Sequence, residues 1–306
     1  MTGSDPTQDG TGLFSVRGRT ALVTGGARGI GALIAQALVE AGATVYLTSR
    51  DAAAAEKTAA RLSLLGECFP LTADLATEGG CRGLAEEFTG RAGRLHLLVH
   101  GARTLPPAPP AGSGDAGWDR ALGVNLKAVF HLTRFLRPAL EAAAGLGDPA
   151  RVVTIGHTTE HTTEDTIADL DGSYGVASDP ASDPASDLPS GVSSGAPPGA
   201  PPGVPSDETS YAHAASTAAV HHLTRQLAVR LGPRIAVNAV ALGPFASYPP
   251  FAPELPLASD TVGRSPLRRA GGLDDLAGVI RFLGSRASAY LTGAVIPLDG
   301  GLAATR

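Results

Sequence analysis

Short apolar or β-branched runs alternate along the chain with Ala/Leu-rich stretches of helical pattern. The runs are Thr20–Thr24, Thr44–Thr48, Cys68–Thr72, Leu95–Val99, Arg151–Ile155, Ile235–Ala241 and Ala294–Pro297. The helical stretches lie near 29–42, 52–64, 77–91, 117–144, 210–231 and 273–285. Strands separated by helices of that length predict parallel βαβ crossovers, and so a doubly wound α/β sheet.

The alternation stops once. Residues 160–208 hold ten acidic groups and no Lys or Arg. Within them Ala-Ser-Asp-Pro occurs twice over 177–184, and Ala-Pro-Pro-Gly twice over 196–203. Proline blocks helix interiors and sheet ladders, and nothing here is apolar enough to offset the entropy of ordering. The segment is expected to be a flexible acidic insertion. It falls between the fifth strand and the next helix, where loops surround the ligand crevice of such sheets, so it stands where a lid could sit.

Composition narrows the class. The chain has 306 residues, 43% hydrophobic and 17% charged, enough apolar material for a sizeable core and too much for a disordered or fibrous protein. No run approaches the roughly 18 apolar residues of a membrane span, and Met1–Gly12 shows no signal-peptide pattern. Cys68 and Cys81 are too few for a disulfide framework. A cytoplasmic location is expected. The net charge of −5 resolves into the acidic insertion and a remainder with 24 basic against 19 acidic groups, a net of +5. That remainder has no basic run and no aromatic interleaving, so no nucleic-acid partner is expected. Only Lys57 and Lys127 are lysines; the other 22 basic residues are arginine.

The first strand runs into Thr24-Gly25-Gly26-Ala27-Arg28-Gly29-Ile30-Gly31. Glycines allow a tight turn there, and the following helix offers free N–H groups to a pyrophosphate. The second strand ends at Ser49-Arg50 rather than at the carboxylate that would hold a ribose 2′-hydroxyl. Arg28 and Arg50 together suit a 2′-phosphate, which favours NADP(H) over NAD.

With these residues the chain resembles the short-chain dehydrogenase/reductase family, nearest its 3-oxoacyl-carrier-protein reductase branch. The resemblance covers about 17–159 and 209–303, leaving 1–16 as a tail and 160–208 as an interruption. It is carried by the glycine turn, Ala73-Asp74-Leu75, Val124-Asn125-Leu126-Lys127, Val237-Asn238 and the stretch Tyr290–Gly301. It implies a Rossmann-type seven-stranded sheet in a single domain, and a homodimer or homotetramer. It also implies NADP(H) held by Gly25, Arg28, Gly29, Ile30, Gly31, Ser49, Arg50, Asp74, Leu75, His100 and Gly101, with Asp74-Leu75 on the adenine.

The family reduces carbonyls with an Asn-Ser-Tyr-Lys set, and this chain departs from it. Asn125 matches the asparagine that holds a proton-relay water. His157 stands in the serine slot, in Val153-Thr-Ile-Gly-His157. Aligned through Ser216-x-Ala-Ala-Val220, His213 takes the tyrosine slot and Thr217 the lysine slot. The Asn-Asn-Ala-Gly segment after the fourth strand has become His100-Gly101-Ala102-Arg103. Tyr211 lies two residues from His213, a rotation of roughly 200° along a helix, so the two cannot face one pocket. Neither lysine follows a tyrosine at the required spacing.

His213 and Thr217 share one helix face, and His157 approaches that face from the strand end. Two imidazoles and an asparagine around one pocket suit proton abstraction beside a carbonyl, cyclisation, dehydration or isomerisation. Three readings stay open: an acid–base enzyme on an apolar, polyketide-like carbonyl, free or carrier-bound; an NADPH-dependent reductase with His213 as proton donor; or a non-catalytic partner subunit. His157-Thr-Thr-Glu160-His161 matches a zinc spacing but leaves a strand, so no metal is expected. His221 and His222 are expected to be ordinary helix-face residues. Phe245–Leu257, with four prolines, resembles the family's mobile substrate loop.

Overall fold

The computed structural model describes residues 10–104, 115–157, 208–245 and 259–305. The acidic insertion therefore lies outside the described residues, except for Glu208. So do the zinc-like spacing beyond His157 and the proline loop beyond Phe245.

Seven strands form one all-parallel sheet in the order β3-β2-β1-β4-β5-β6-β7. They are β1 (Thr20–Thr24), β2 (Thr44–Ser49), β3 (Cys68–Thr72), β4 (Leu97–His100), β5 (Ala150–His157), β6 (Ile235–Leu242) and β7 (Val295–Leu298). The crossing helices are α1 (Gly29–Glu40), α2 (Ala52–Leu62), α3 (Glu78–Arg91), α4 (Asp115–Leu122), α5 (Ala128–Ala143), α6 (Glu208–Leu231), α7 (Ser259–Arg264) and α8 (Leu273–Gly284). This is the Rossmann-type doubly wound fold that the strand–helix alternation implies.

Parallel strands are covered on both faces, which is why each reads as a nearly continuous apolar run. In β1, Val23 faces α1 and α8, where Leu33, Ile34, Leu38, Leu276, Ile280 and Leu283 pack. Its neighbour Leu22 points the other way, toward Leu84 and Phe88 of α3 and Leu132 and Leu136 of α5. Each such buried side chain contributes roughly 1.5–3 kcal/mol. Cys68 and Cys81 are buried within these cores as free thiols. Burial pushes the Cys68 thiol up to about 12. It also pushes Cys81 up to about 11, helped by Asp74 and Glu78.

One expected element divides. The stretch 117–144 is not a single helix: a π-helical turn, Gly123–Lys127, separates α4 from α5. Its extra residue per turn places Asn125 in the interior, at 2% exposure.

At the N-terminal edge of the sheet, away from the cleft described below, Asp148 ties two arginines together. It accepts from Arg19 at 2.7 Å and from the fully buried Arg151 at 2.6 Å. Among the described residues, no helix is long and apolar enough to cross a membrane.

Candidate active site

The strand order reverses between β1 and β4, and a cleft of about 440 Å³ opens there, beyond the carboxyl ends of the strands. Gly25 begins it with φ +68°. A Cβ at Gly31 would lie 2.2 Å from the Gly25 carbonyl oxygen, so the turn can close only on glycine. Thr24 fixes the turn against the next loop, its Oγ1 accepting from the N–H groups of Gly101 and Ala102, both at 3.1 Å. Gly29 and Ile30 open α1, whose first-turn N–H groups have no partner within the helix.

Arg28, Ser49, Arg50, Asp74 and Leu75 line the outer part of the cleft, as the sequence predicts for a nucleotide. Arg28 is not simply waiting for a phosphate, because its Nη2 donates to Asp51 Oδ2 at 2.8 Å. Asp51 also caps α2, accepting from the Ala54 N–H at 3.0 Å. Arg50 is exposed. The outer cleft thus fits an adenosine phosphate: a glycine turn, a helix N-terminus and two guanidiniums.

The inner end is built differently from the family pattern. Asn125 is held by the protein on both ends of its amide. Its Oδ1 accepts from the Thr104 N–H at 2.8 Å, and its Nδ2 donates to the Thr104 carbonyl and to Ser216 Oγ, both at 3.1 Å. Ser216 Oγ in turn donates to the His213 carbonyl at 2.9 Å. The asparagine therefore stitches the loop after β4 to α6.

Held this way, Arg103 turns into the protein. Its Nη1 donates to the Ile155 carbonyl at 3.0 Å and its Nη2 to Thr217 Oγ1 at 2.5 Å. Arg103 is 8% exposed, Thr217 is fully buried, and His213 one helical turn away is 1% exposed. The position that holds lysine in the family pattern thus holds a threonine already bonded to a guanidinium. A nicotinamide ribose would find no lysine there.

Two expectations need correction. His100 does not face the cleft; its Nε2 shares a 2.9 Å hydrogen bond with Thr133 of α5, and burial lowers it to about 3, so it stays neutral. His221 is not an ordinary helix-face residue. A Cβ on Gly156 would lie 2.6 Å from its Nε2, which is buried and has no hydrogen-bond partner among the described residues. Burial first, then the charges of Arg103 and Arg225, lower His221 to about 4. His222 is exposed, as expected. The backbone of His157 ends β5 opposite Leu242, and its side chain lies outside the described residues.

Arg103, Ser216 and His221 were not legible as site residues. The available signal was the arginine at a glycine position of the Asn-Asn-Ala-Gly pattern, in a chain short of lysine. No group of three or more His, Cys, Asp or Glu side chains among the described residues could hold a metal ion.

Two family models match the chain: short chain dehydrogenase over residues 19–163, and enoyl-(acyl carrier protein) reductase over 203–303. A rhamnolipids biosynthesis 3-oxoacyl-[acyl-carrier-protein] reductase of Pseudomonas aeruginosa is 36% identical, over 94% of this chain and 97% of that one. A Streptomyces violaceoruber protein named for ketoacyl reduction in the granaticin polyketide synthase is 31% identical, over 92% and 94%. Among solved structures, the Pseudomonas aeruginosa RhlG/NADP active-site complex superposes with a TM-score of 0.71 at 34% identity, covering 95% of this chain and 98% of that one.

Proposed function

Because the chain belongs to the short-chain dehydrogenase/reductase family, we propose that it is a nucleotide-binding member that has exchanged the tyrosine–lysine proton donor for histidine acid–base chemistry on an apolar carbonyl substrate. The observation that carries this reading is the contact between Arg103 and Thr217. The slot that would hold the lysine holds a threonine, and the contact sets a fixed cation one turn from His213. An imidazole can take up and return a proton, which the threonine in the lysine slot cannot.

An arginine cannot give up its proton in a protein, so the roles divide. His213 takes or returns the proton, joined by His157 from the strand end. Arg103 stabilises the negative charge that proton abstraction beside a carbonyl leaves on oxygen. That division suits cyclisation, dehydration or isomerisation. The relatives named for 3-oxoacyl and ketoacyl reduction support a polyketide-like substrate, free or carrier-bound.

We infer NADP(H) as the cofactor, held at its adenosine phosphate end by Gly25, Arg28, Ser49, Arg50, Asp74 and Leu75. When bound, NADP(H) supplies or accepts a hydride. The arginine-lined rim therefore favours a second reading, NADPH-dependent reduction with His213 as the proton donor.

The test offers 3-oxoacyl thioesters to the purified chain with and without NADPH. Nicotinamide absorbance and product mass are both followed. Proton-transfer chemistry predicts a product of unchanged mass, or lighter by water, with no NADPH consumed. A product heavier by added hydrogens, with NADPH consumed, establishes the reductase instead. Replacing His157 and His213 together by Ala should abolish turnover; turnover that survives overturns both. No turnover alone, with co-purification of an intact relative, would identify a partner subunit.

A further inference from the structure

We propose that Arg103 carries the fixed positive charge of this site in place of the missing lysine, moved from α6 to the loop after β4, and that it holds the anionic group of a ligand at the inner end of the cleft. The proposal rests on the geometry of that loop and not on the reaction proposed above.

A guanidinium is costly to bury unless its donors are met. Arg103 is buried nonetheless, and its approach is built from both sides. Upstream, Thr24 takes the N–H groups of Gly101 and Ala102. Downstream, Asn125 grips both backbone groups of Thr104. The loop can leave this path only by breaking those four bonds. The side chain then spans from Ile155 at the end of β5 to Thr217 on α6, bridging the elements that carry His157 and His213.

Arg103 also lines the cleft, following β4 on one side of β1, while Arg50 follows β2 on the other. A ligand lying along the cleft meets guanidiniums on both sides of β1. The planar fork of arginine suits phosphate or carboxylate oxygens better than an ammonium would. Its charge is felt nearby, since it contributes to the lowering of His221. Arg103 acts as a positioning and binding group and passes on no proton.

The experiment compares the full chain with Arg103→Gly, Arg103→Lys, Thr217→Lys and the Arg103→Gly/Thr217→Lys pair. Melting temperature reads the position of the charge. If the two cations compete for one place, Thr217→Lys alone destabilises the chain, and adding Arg103→Gly recovers most of the loss. Strictly additive changes would overturn the relocation.

Binding reads the ligand role, with two probes: NADP⁺, and adenosine 2′,5′-bisphosphate, which lacks the nicotinamide half. Arg103→Gly should weaken NADP⁺ by about tenfold or more and leave the bisphosphate within about twofold, as expected for one lost charge-assisted contact. Arg103→Lys should restore part of the NADP⁺ affinity. Equal losses for both probes, or tighter NADP⁺ binding, would overturn the ligand role and make Arg103 a plug. If the unaltered chain binds neither probe, the cofactor reading fails, while the melting comparison still decides where the charge sits.

Discussion

Arg103 donates a hydrogen bond of 2.5 Å to the hydroxyl of Thr217, across 114 residues of sequence. The contact joins the loop after β4 to the helix that bears His213, and it decides what the inner cleft can do. A threonine that already accepts from a guanidinium cannot act as the lysine of a reductase, and a buried arginine cannot relay a proton. What stands there is a buried guanidinium, bonded to a residue one helical turn along α6 from His213.

Asn125 is expected to be structural before it is catalytic. Asn125→Ala leaves the Thr104 N–H and carbonyl and the Ser216 hydroxyl short of partners, costing roughly 2–4 kcal/mol. Urea unfolding would show it. If the asparagine only held a relay water, the unfolding midpoint would not move while turnover fell.

Asp51 should restrain the preference for a 2′-phosphate. It occupies Arg28 at 2.8 Å. Asp51→Asn keeps the helix cap and frees the guanidinium, so NADP⁺ should bind a few-fold tighter with NAD⁺ unchanged. Arg50→Ala should weaken NADP⁺ by about tenfold and leave NAD⁺ nearly untouched. Parallel titrations with the two dinucleotides test both.

His100 should make the fold sensitive to mild acid. Its folded value is lowered to about 3, so below the ordinary range of about 6.5 only the unfolded chain takes the proton. The stability it confers is complete above that range and falls as pH drops toward 3. Between about pH 7 and 5 the loss is about 2 kcal/mol. His100→Asn should flatten the melting temperature across that interval. An unchanged slope would mean that His100 is charged in the folded state.

Asp148 should matter for stability and not for the site. Burial raises its carboxyl, but hydrogen bonds and charge from Arg151 and Arg19 outweigh this and hold it below the usual range. Asp148→Ala strands a buried Arg151 and should cost roughly 3–5 kcal/mol. Dinucleotide affinity, measured where the variant is still folded, should be unchanged, because the group lies at the other end of the sheet. The carboxylate's contribution is present above about pH 4 and is lost below it.

Much of this was legible beforehand, for a definite reason. A strand of a covered parallel sheet must be apolar at nearly every position, so its pattern is local. Thr20–Thr24 and Cys68–Thr72 were placed to the residue, and the other strands within one or two. The glycine turn was equally readable, since its glycines answer to contacts within the turn. The π turn was not. An apolar pattern at helical spacing does not register one inserted residue, and so the turning of Asn125 toward Thr104 stayed hidden. The neutral, inward role of His100 depended on Thr133, 33 residues away.

The doubly wound sheet, the glycine turn and the loss of the tyrosine–lysine couple follow from residue type at a fixed local spacing, and so they could be read from the chain alone. Two lysines, neither of them four residues after a tyrosine, excluded that couple without a single coordinate. What stands in its place depends on how the chain folds back on itself. Arg103 was one arginine among 22 until the path of its loop, gripped by Thr24 and Asn125, brought it to Thr217. The direction of a long side chain is set by the backbone that carries it and by partners far away in sequence, and no periodicity records either.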